Sequence, residues 1–428
     1  MPNARSSTVV PLSRAACALA VALLAPAAAA QALWTVHPNG SADFTSIQAA
    51  VDAAAPGDHV LVLAGAHANV VLERAITLTS TGGAAILKPQ SGPGATAPAL
   101  SIRNLPAGEH VCVSGLTVFV GGGGAPHAVG IADCAGSVWL QDMFVDSYGA
   151  AALDVRACAS VVVADCTLQT NLVPALSDGT PQSAPGARVA DGARLHAWSS
   201  DFFGSHGTLQ GGGLPTPNAA ADGGAGLVVE DALVHCYGGD IRGSSGSTFF
   251  GASCTSGGNG GDGVVVIDGP SGFAPEVRLV GASVTAGFPG SHQAGCGPAP
   301  IAGQIFDAAP GSLVALPGPA RRFTLPGHAN SGAPVALRFD GAAGDFAFVL
   351  VSGAAAPGTS IAGLDLHVAL APLLVVGPFA VPGASATYGA NAPLLPAGVE
   401  GIALPLQAVH LDASLALHAS SPRLLLAH

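Results

Sequence analysis

The chain has 428 residues, of which 59 are glycine and 33 proline, and only 9% are charged, where soluble domains usually carry about 25%. With 49% hydrophobic residues it can bury a sizeable core, which excludes disorder throughout. A formal net charge of −12 makes nucleic acid a poor partner, and the single lysine, Lys88, is followed by Pro89 and completes no phosphate-binding loop.

Residues 1 to 31 read as a secretory signal peptide. Arg5 and Arg14 give a positive start, Ala15 to Ala25 a short apolar core, and Ala28, Ala29 and Ala30 a small-residue cleavage site. The expected location is therefore secreted or at the cell surface. No later stretch reaches about 18 uninterrupted apolar residues, so no membrane span is expected. Next, Thr45 or Ser46 can cap a short helix whose Ile47, Ala50, Val51 and Ala54 share one face, ended by Pro56, Gly57 and Asp58.

Six segments then share an eight-residue pattern: 111–118, 138–145, 161–168, 195–202, 234–241 and 277–284. The first, third and eighth residues are apolar, and the fifth is Gly115, Asp142, Asp165, Ser199, Gly238 or Gly281. This reads as a short strand, a bend and a second inward residue. A further strand precedes most copies, with Ile131 ahead of Val138, Leu153 ahead of Val161 and Leu227 ahead of Val234, and with Val189 and Val264 in looser registers. Copies start 27, 23, 34, 39 and 43 residues apart, the extra length always following the eighth position. A strand-rich repeat that tolerates insertion at one corner is a solenoid.

Residues 34 to 63, from Trp34-Thr35-Val36-His37-Pro38-Asn39-Gly40 through Ile47-Gln48-Ala49-Ala50-Val51 to Asp58-His59-Val60-Leu61-Val62-Leu63, resemble the opening segment of right-handed parallel β-helix proteins of the pectin-lyase-like superfamily. The resemblance implies an all-β fold: a right-handed parallel β-helix over 32–316 with an N-terminal capping helix. The family's catalytic motifs are not intact in this sequence. From Arg321 the repeat is lost. Short apolar strands at 335–339, 346–351, 364–370 and 415–417 alternate with Gly and Pro turns, and 321–428 is expected to form a small β-sandwich.

Beyond the signal lie Cys112, Cys134, Cys158, Cys166, Cys236, Cys254 and Cys296. Cys254 and Cys296 fall in insertions of neighbouring repeats and are expected to form a disulfide, while the pairing of the others is left open. No C-x-x-C pair or zinc-type Cys/His spacing occurs, so neither a metal nor a cofactor is expected. Gly257 to Val265 matches a calcium-binding nonapeptide once and is expected to be a flexible turn.

Catalytic residues are unknown. Asp201, Asp222, Glu230, Asp231 and Asp240 are acid and base candidates whose spacing shows no pairing. The second and fourth repeat positions face outward and gather Trp139, His196, Trp198, His235, Tyr237 and Arg278 on one surface, while Tyr148 lies elsewhere. Aromatic rings with nearby donors suit stacking on sugars. The expected function is binding of an extracellular polysaccharide or cell-surface glycan along this strand face. The alternatives are a carbohydrate-active enzyme with an unrecognised site and a structural or adhesive surface protein.

Overall fold

Inward apolar residues at alternate positions can be buried only if each strand lies on a like strand of the next coil, and the chain does this along three sheets. The computed structural model describes residues 31–428 apart from 81–84, 89–96, 122–126, 172–182, 208–220, 248–256, 271, 292–298, 310, 317, 362–363, 371–372 and 396–401. Residues 1–30 of the expected signal, and the expected bond between Cys254 and Cys296, lie outside the described residues. The first sheet has ten strands and runs from Leu33–Val36 to Leu313–Leu316. The second and third have eight each, running from Gly65–His67 to Ser283–Thr285 and from Val70–Leu72 to Phe306–Asp307. All pair in parallel around one apolar core, so the chain forms a parallel β-solenoid.

The eight-residue segments stack in register. Val111, Val138, Val161, Leu195, Val234 and Val277 are successive partners in the first sheet. Their eighth residues, from Val118 to Val284, are successive partners in the second. The fifth position turns the corner between the sheets in the left-handed region, with φ of 73° at Gly115, 52° at Asp142, 51° at Asp165, 47° at Ser199, 74° at Gly238 and 61° at Gly281. Glycine adopts that conformation freely and Asp tolerates it better than most residues. The third sheet differs from the expected register: Ile131 pairs with Val155, and Leu153 with Val129. A shift of two residues keeps every side chain on the same face, so alternation alone cannot reveal it.

The short helix Ile47–Ala53 starts at Ser46, whose hydroxyl accepts the Ala49 amide, and buries Ile47, Ala50 and Val51. Gln48 exchanges hydrogen bonds with the Val71 backbone, its Oε1 accepting the amide at 2.8 Å and its Nε2 reaching the carbonyl at 3.3 Å. Val71 belongs to the terminal strand of the third sheet, so the helix supplies partners to an edge that lacks a neighbouring strand.

The Gly-rich segment 257–263, expected to be a flexible turn, is instead hydrogen-bonded along its length to the neighbouring insertions. Their described residues leave the second sheet and rejoin the third as extended legs hydrogen-bonded to the legs around them. In the outgoing layer Gly243 donates to Thr285 at 2.9 Å and Gly246 to Phe288 at 3.0 Å; in the returning layer Gly260 donates to Ile301 at 2.9 Å and Gly263 to Gln304 at 2.8 Å. Gly258 and Gly261 donate between layers, to Ser247 at 3.2 Å and Ser244 at 2.7 Å. Donors three residues apart have the period of a polyproline II-type chain, which has no internal hydrogen bonds and so pairs with its neighbours. Glycine is required for the approach: a Cβ on Gly261 would overlap the Gly224 carbonyl, and one on Gly246 the Gly258 carbonyl. Within the nonapeptide match, Asp262 accepts the Gln304 amide at 2.5 Å and Asn259 the Ile301 amide at 2.9 Å, so these side chains bind the adjacent leg.

Cys134 and Cys158 follow paired strands whose last partners are Ala132 and Arg156, so they occupy equivalent places in successive coils. Both are buried free thiols, Cys134 donating to the Ala132 carbonyl at 3.2 Å and Cys158 to the Arg156 carbonyl at 3.0 Å. Neighbouring strands about 4.8 Å apart bring Cα atoms within the roughly 4.4–6.8 Å span of a disulfide. Refolding with oxidised glutathione is expected to join Cys134 to Cys158 and to stabilise the fold by about 3 kcal/mol, the loop-closure effect for a loop of this size. Non-reducing peptide mapping checks this, and persistence of both thiols after complete refolding is the contrary result.

Beyond Leu316 the pairing becomes mainly antiparallel. A three-stranded sheet is built on Pro334–Asp340, a five-stranded sheet includes Asp345–Ser352, Ile402–Leu411 and Leu417–Ala427, and Leu364–Val368 pairs with Ala355–Ile361. Phe323, Phe339, Val349, Phe379, Leu404 and Leu425 pack between the larger sheets. Leu415 lies in a left-handed turn, φ 65°, rather than in the strand expected there.

Candidate functional site

Trp139, His196, Trp198, His235, Tyr237 and Arg278 all stand on the outer face of the first sheet. His196 is opposite His235, His235 opposite Arg278, and Trp198 opposite Tyr237. The face is nevertheless covered. Trp139 and Trp198 are each 1% exposed and pack with Leu350, Leu364, Leu366 and Leu424 from the C-terminal strands. Stacking of a sugar on either Trp is therefore corrected, because a sealed ring offers no face to a ligand. Trp198 instead stacks on Tyr237 with centroids 3.9 Å apart and planes at 11°, and Trp139 meets His110 edge-on at 4.9 Å. Burying rings of this size contributes several kcal/mol each, on the order of 25 cal/mol per Å², so this row acts as a seam within the chain.

Polar groups line the edge of the seam. Asp365, on the strand Leu364–Val368, is met through Oδ2 by His235 Nδ1 at 2.9 Å and by the Tyr237 hydroxyl at 2.7 Å. His196 Nδ1 points to the same oxygen from 3.6 Å, beyond hydrogen-bonding reach, and is buried without a hydrogen-bond partner. The His367 ring packs edge-on against His196 at 4.6 Å. Burial lowers the His196 pKa to about 4, so its imidazole is neutral at neutral pH. Burial raises the Asp365 pKa, but hydrogen bonds from His235 and Tyr237 outweigh it and hold the carboxyl below its ordinary range. A cleft of about 170 Å³ opens beside Arg194, Leu195, His196, His235, Arg278 and Asp365. Arg278 is exposed and ion-paired with Glu276.

The outer face of the second sheet is open. Phe144 is 41% exposed, and Phe119, Tyr148 and Phe203 are half-buried. Phe119 and Tyr148 lie 5.7 Å apart in neighbouring coils. Lys88 Nζ sits 5.9 Å from the Phe119 centroid, and the Arg242 guanidinium 5.6 Å from that of Phe203. Asp146 accepts a hydrogen bond from Asn171 between these rings. The sequence reading passed over this face because it followed repeat positions one to four, whereas these residues flank the eighth.

The five candidate acids are engaged by backbone amides and arginines, and Asp201 and Asp240 stand in adjacent coils. Asp201 accepts the Asp240 amide at 2.9 Å, Asp222 the Asn259 amide at 2.6 Å and Asp231 the Gly269 amide at 2.6 Å. Glu230 pairs with Arg188 at 2.5 Å and Asp240 with Arg242 at 2.9 Å. No protein-family model matches the chain, and no curated protein matches it. The groups the sequence reading missed, Asp365 and His367, lie far along the chain from the histidines they meet: Asp365 is 130 residues from His235, and His367 is farther still from His196. Their one local signal is the alternation Leu364-Asp365-Leu366-His367-Val368, which places both on one face of a strand.

Proposed function

We propose that the protein is an exported, right-handed β-helix of the pectin-lyase-like kind that binds an extracellular polysaccharide or cell-surface glycan along the open face of its second sheet. In this reading the solenoid spans 32–316, the helix Ile47–Ala53 caps it, and 321–428 is a β-sandwich docked over the first sheet. The carrying observation is the row of half-buried Phe119, Tyr148 and Phe203 on an open face, interleaved with Asp146, Asn171 and Arg242. Rings supply apolar faces for sugar C–H groups, and the polar side chains between them supply donors and acceptors for hydroxyls. Coils about 4.8 Å apart repeat these groups along the solenoid axis, which suits an extended chain better than a small compact ligand. Binding is favoured over hydrolysis because the carboxylates on this face are committed to a backbone amide, to Arg242 and to Asn171.

A glycan array followed by calorimetry tests the proposal. Removing the Phe119 and Tyr148 rings together (F119A/Y148A) is expected to weaken binding by roughly 5- to 100-fold, from about 0.5–1.5 kcal/mol per aromatic contact. Absence of any glycan ligand, or unchanged affinity in a double variant with normal unfolding, would remove the proposal and favour a structural surface role.

A further inference from the structure

We infer that His196, His235 and Asp365 bind one divalent transition-metal ion, leaving a coordination position open to the adjoining cleft. One ligand atom from each residue can be chosen so that all lie within 4.8 Å of one another. A tetrahedral ion bonded at about 2.0–2.1 Å needs its ligand atoms roughly 3.3 Å apart. The two distances to Asp365 Oδ2, 2.9 Å from His235 Nδ1 and 3.6 Å from His196 Nδ1, bracket that value.

A simple His–Asp fastening accounts for His235 but not for His196. Its Nδ1 is buried, lacks a hydrogen-bond partner and points at an oxygen already engaged by two donors. An unpaired buried nitrogen is costly, and a metal ion between these three groups satisfies it. Two imidazoles and one carboxylate suit zinc, cobalt, nickel or copper; calcium and magnesium prefer all-oxygen sites. The Tyr237 hydroxyl donates to the same Asp365 Oδ2, and a hydrogen bond to a ligating carboxylate orients it; the His367 ring packs edge-on against His196 and restricts its position. Three protein ligands beside a cleft of about 170 Å³ leave the fourth position for water or a ligand group. The site also joins the solenoid to the C-terminal strands. It stands on this cluster alone, whether or not the second sheet binds a glycan.

The test is titration of the chelator-stripped, full-length protein with Co²⁺, read by visible absorption and calorimetry. One equivalent per chain is expected. Tyr237→Phe should weaken binding by about 10- to 100-fold as the outer support is lost, and Asp365→Asn by more. X-ray absorption on the cobalt-loaded native protein gives a reading that needs no variant and should show two imidazoles. No saturable binding at one equivalent, fewer than two imidazoles, or undiminished affinity in a folded Asp365→Asn protein would each overturn the site.

Discussion

Replacing Arg423 with methionine is expected to destabilise attachment of the C-terminal strands by about 3–5 kcal/mol, the cost of removing one member of a buried ion pair. Arg423 is fully buried on the strand Leu417–Ala427. Its Nη1 donates to Asp142 at 3.0 Å, its other terminal nitrogen pairs with Asp165, and its Nε donates to the Phe323 carbonyl at 3.1 Å. Next to it the Leu424 amide donates to Gln141 Oε1 at 3.0 Å. Both acids are left-handed corner residues of successive coils, so the bend that turns the chain also aims two carboxylates at one point. Methionine keeps much of the volume but leaves the buried Asp165 carboxylate with Arg322 to balance it, while Asp142, whose side chain is 40% exposed, keeps its contacts with solvent and the Gln141 amide. Adding Asp142→Asn and Asp165→Asn should recover part of the loss, because the uncompensated charge is then gone. Urea unfolding and limited proteolysis between Leu316 and Arg322 are the measurements. A single variant within 1 kcal/mol of the native protein (roughly a fivefold change in equilibrium) contradicts this account of the junction.

The solenoid was legible because its constraint is local and repeated. Inward residues must alternate, and the left-handed corner admits few residue types, so Val111, Val138, Val161, Leu195, Val234 and Val277 align by inspection and are partners in space. The glycine legs were misread for a physical reason. High glycine content usually signals mobility, yet here it permits backbone contact at positions such as Gly246 and Gly261, where any side chain would collide. Composition alone does not separate those cases; the three-residue spacing of Gly243 and Gly246, or of Gly257, Gly260 and Gly263, is the distinguishing sign.

The candidate site was harder, because what a side chain faces depends on contacts far away in the chain. Trp139, Trp198 and Tyr237 were rightly placed on one outer surface, but nothing local showed that Leu364, Leu366 and Leu424 would cover it. The same aromatic pattern would serve a ligand if left open and a junction if closed. Once it is closed, the charged and hydrogen-bonding groups at its margin, His196, His235 and Asp365, gain the low-dielectric surroundings that make their arrangement consequential.

Lowering the pH from 7 toward 4 is expected to unfold the protein, with the steepest loss between about pH 6.5 and 4. His59 and His410 are buried and His110 is half-buried with its Nε2 sealed from solvent, and desolvation lowers the pKa of each to about 4. Asp58 beside His59, and Asp345 beside His410, oppose that shift without cancelling it. His110 has only the Ser137 hydroxyl at 2.9 Å as a polar partner on Nδ1, and its Nε2 is unpaired. In the unfolded chain each imidazole takes up a proton near pH 6.5; in the folded chain it stays neutral until about pH 4. Between those values the unfolded state binds more protons, so stability falls as pH falls, by about 1.4 kcal/mol per pH unit for each histidine. Three acting together approach about 4 kcal/mol per unit, enough over two units to consume most of a typical 5–15 kcal/mol stability. Carboxyls held below their ordinary range, such as Asp43 through its hydrogen bonds with Thr35, add their loss only further down. Urea midpoints measured from pH 7.5 to 4.5 give the slope. Changing His110 to glutamine should make that slope shallower by about 1.4 kcal/mol per unit, even if it lowers stability at neutral pH. A flat profile down to pH 5 would mean that these histidines become charged inside the fold.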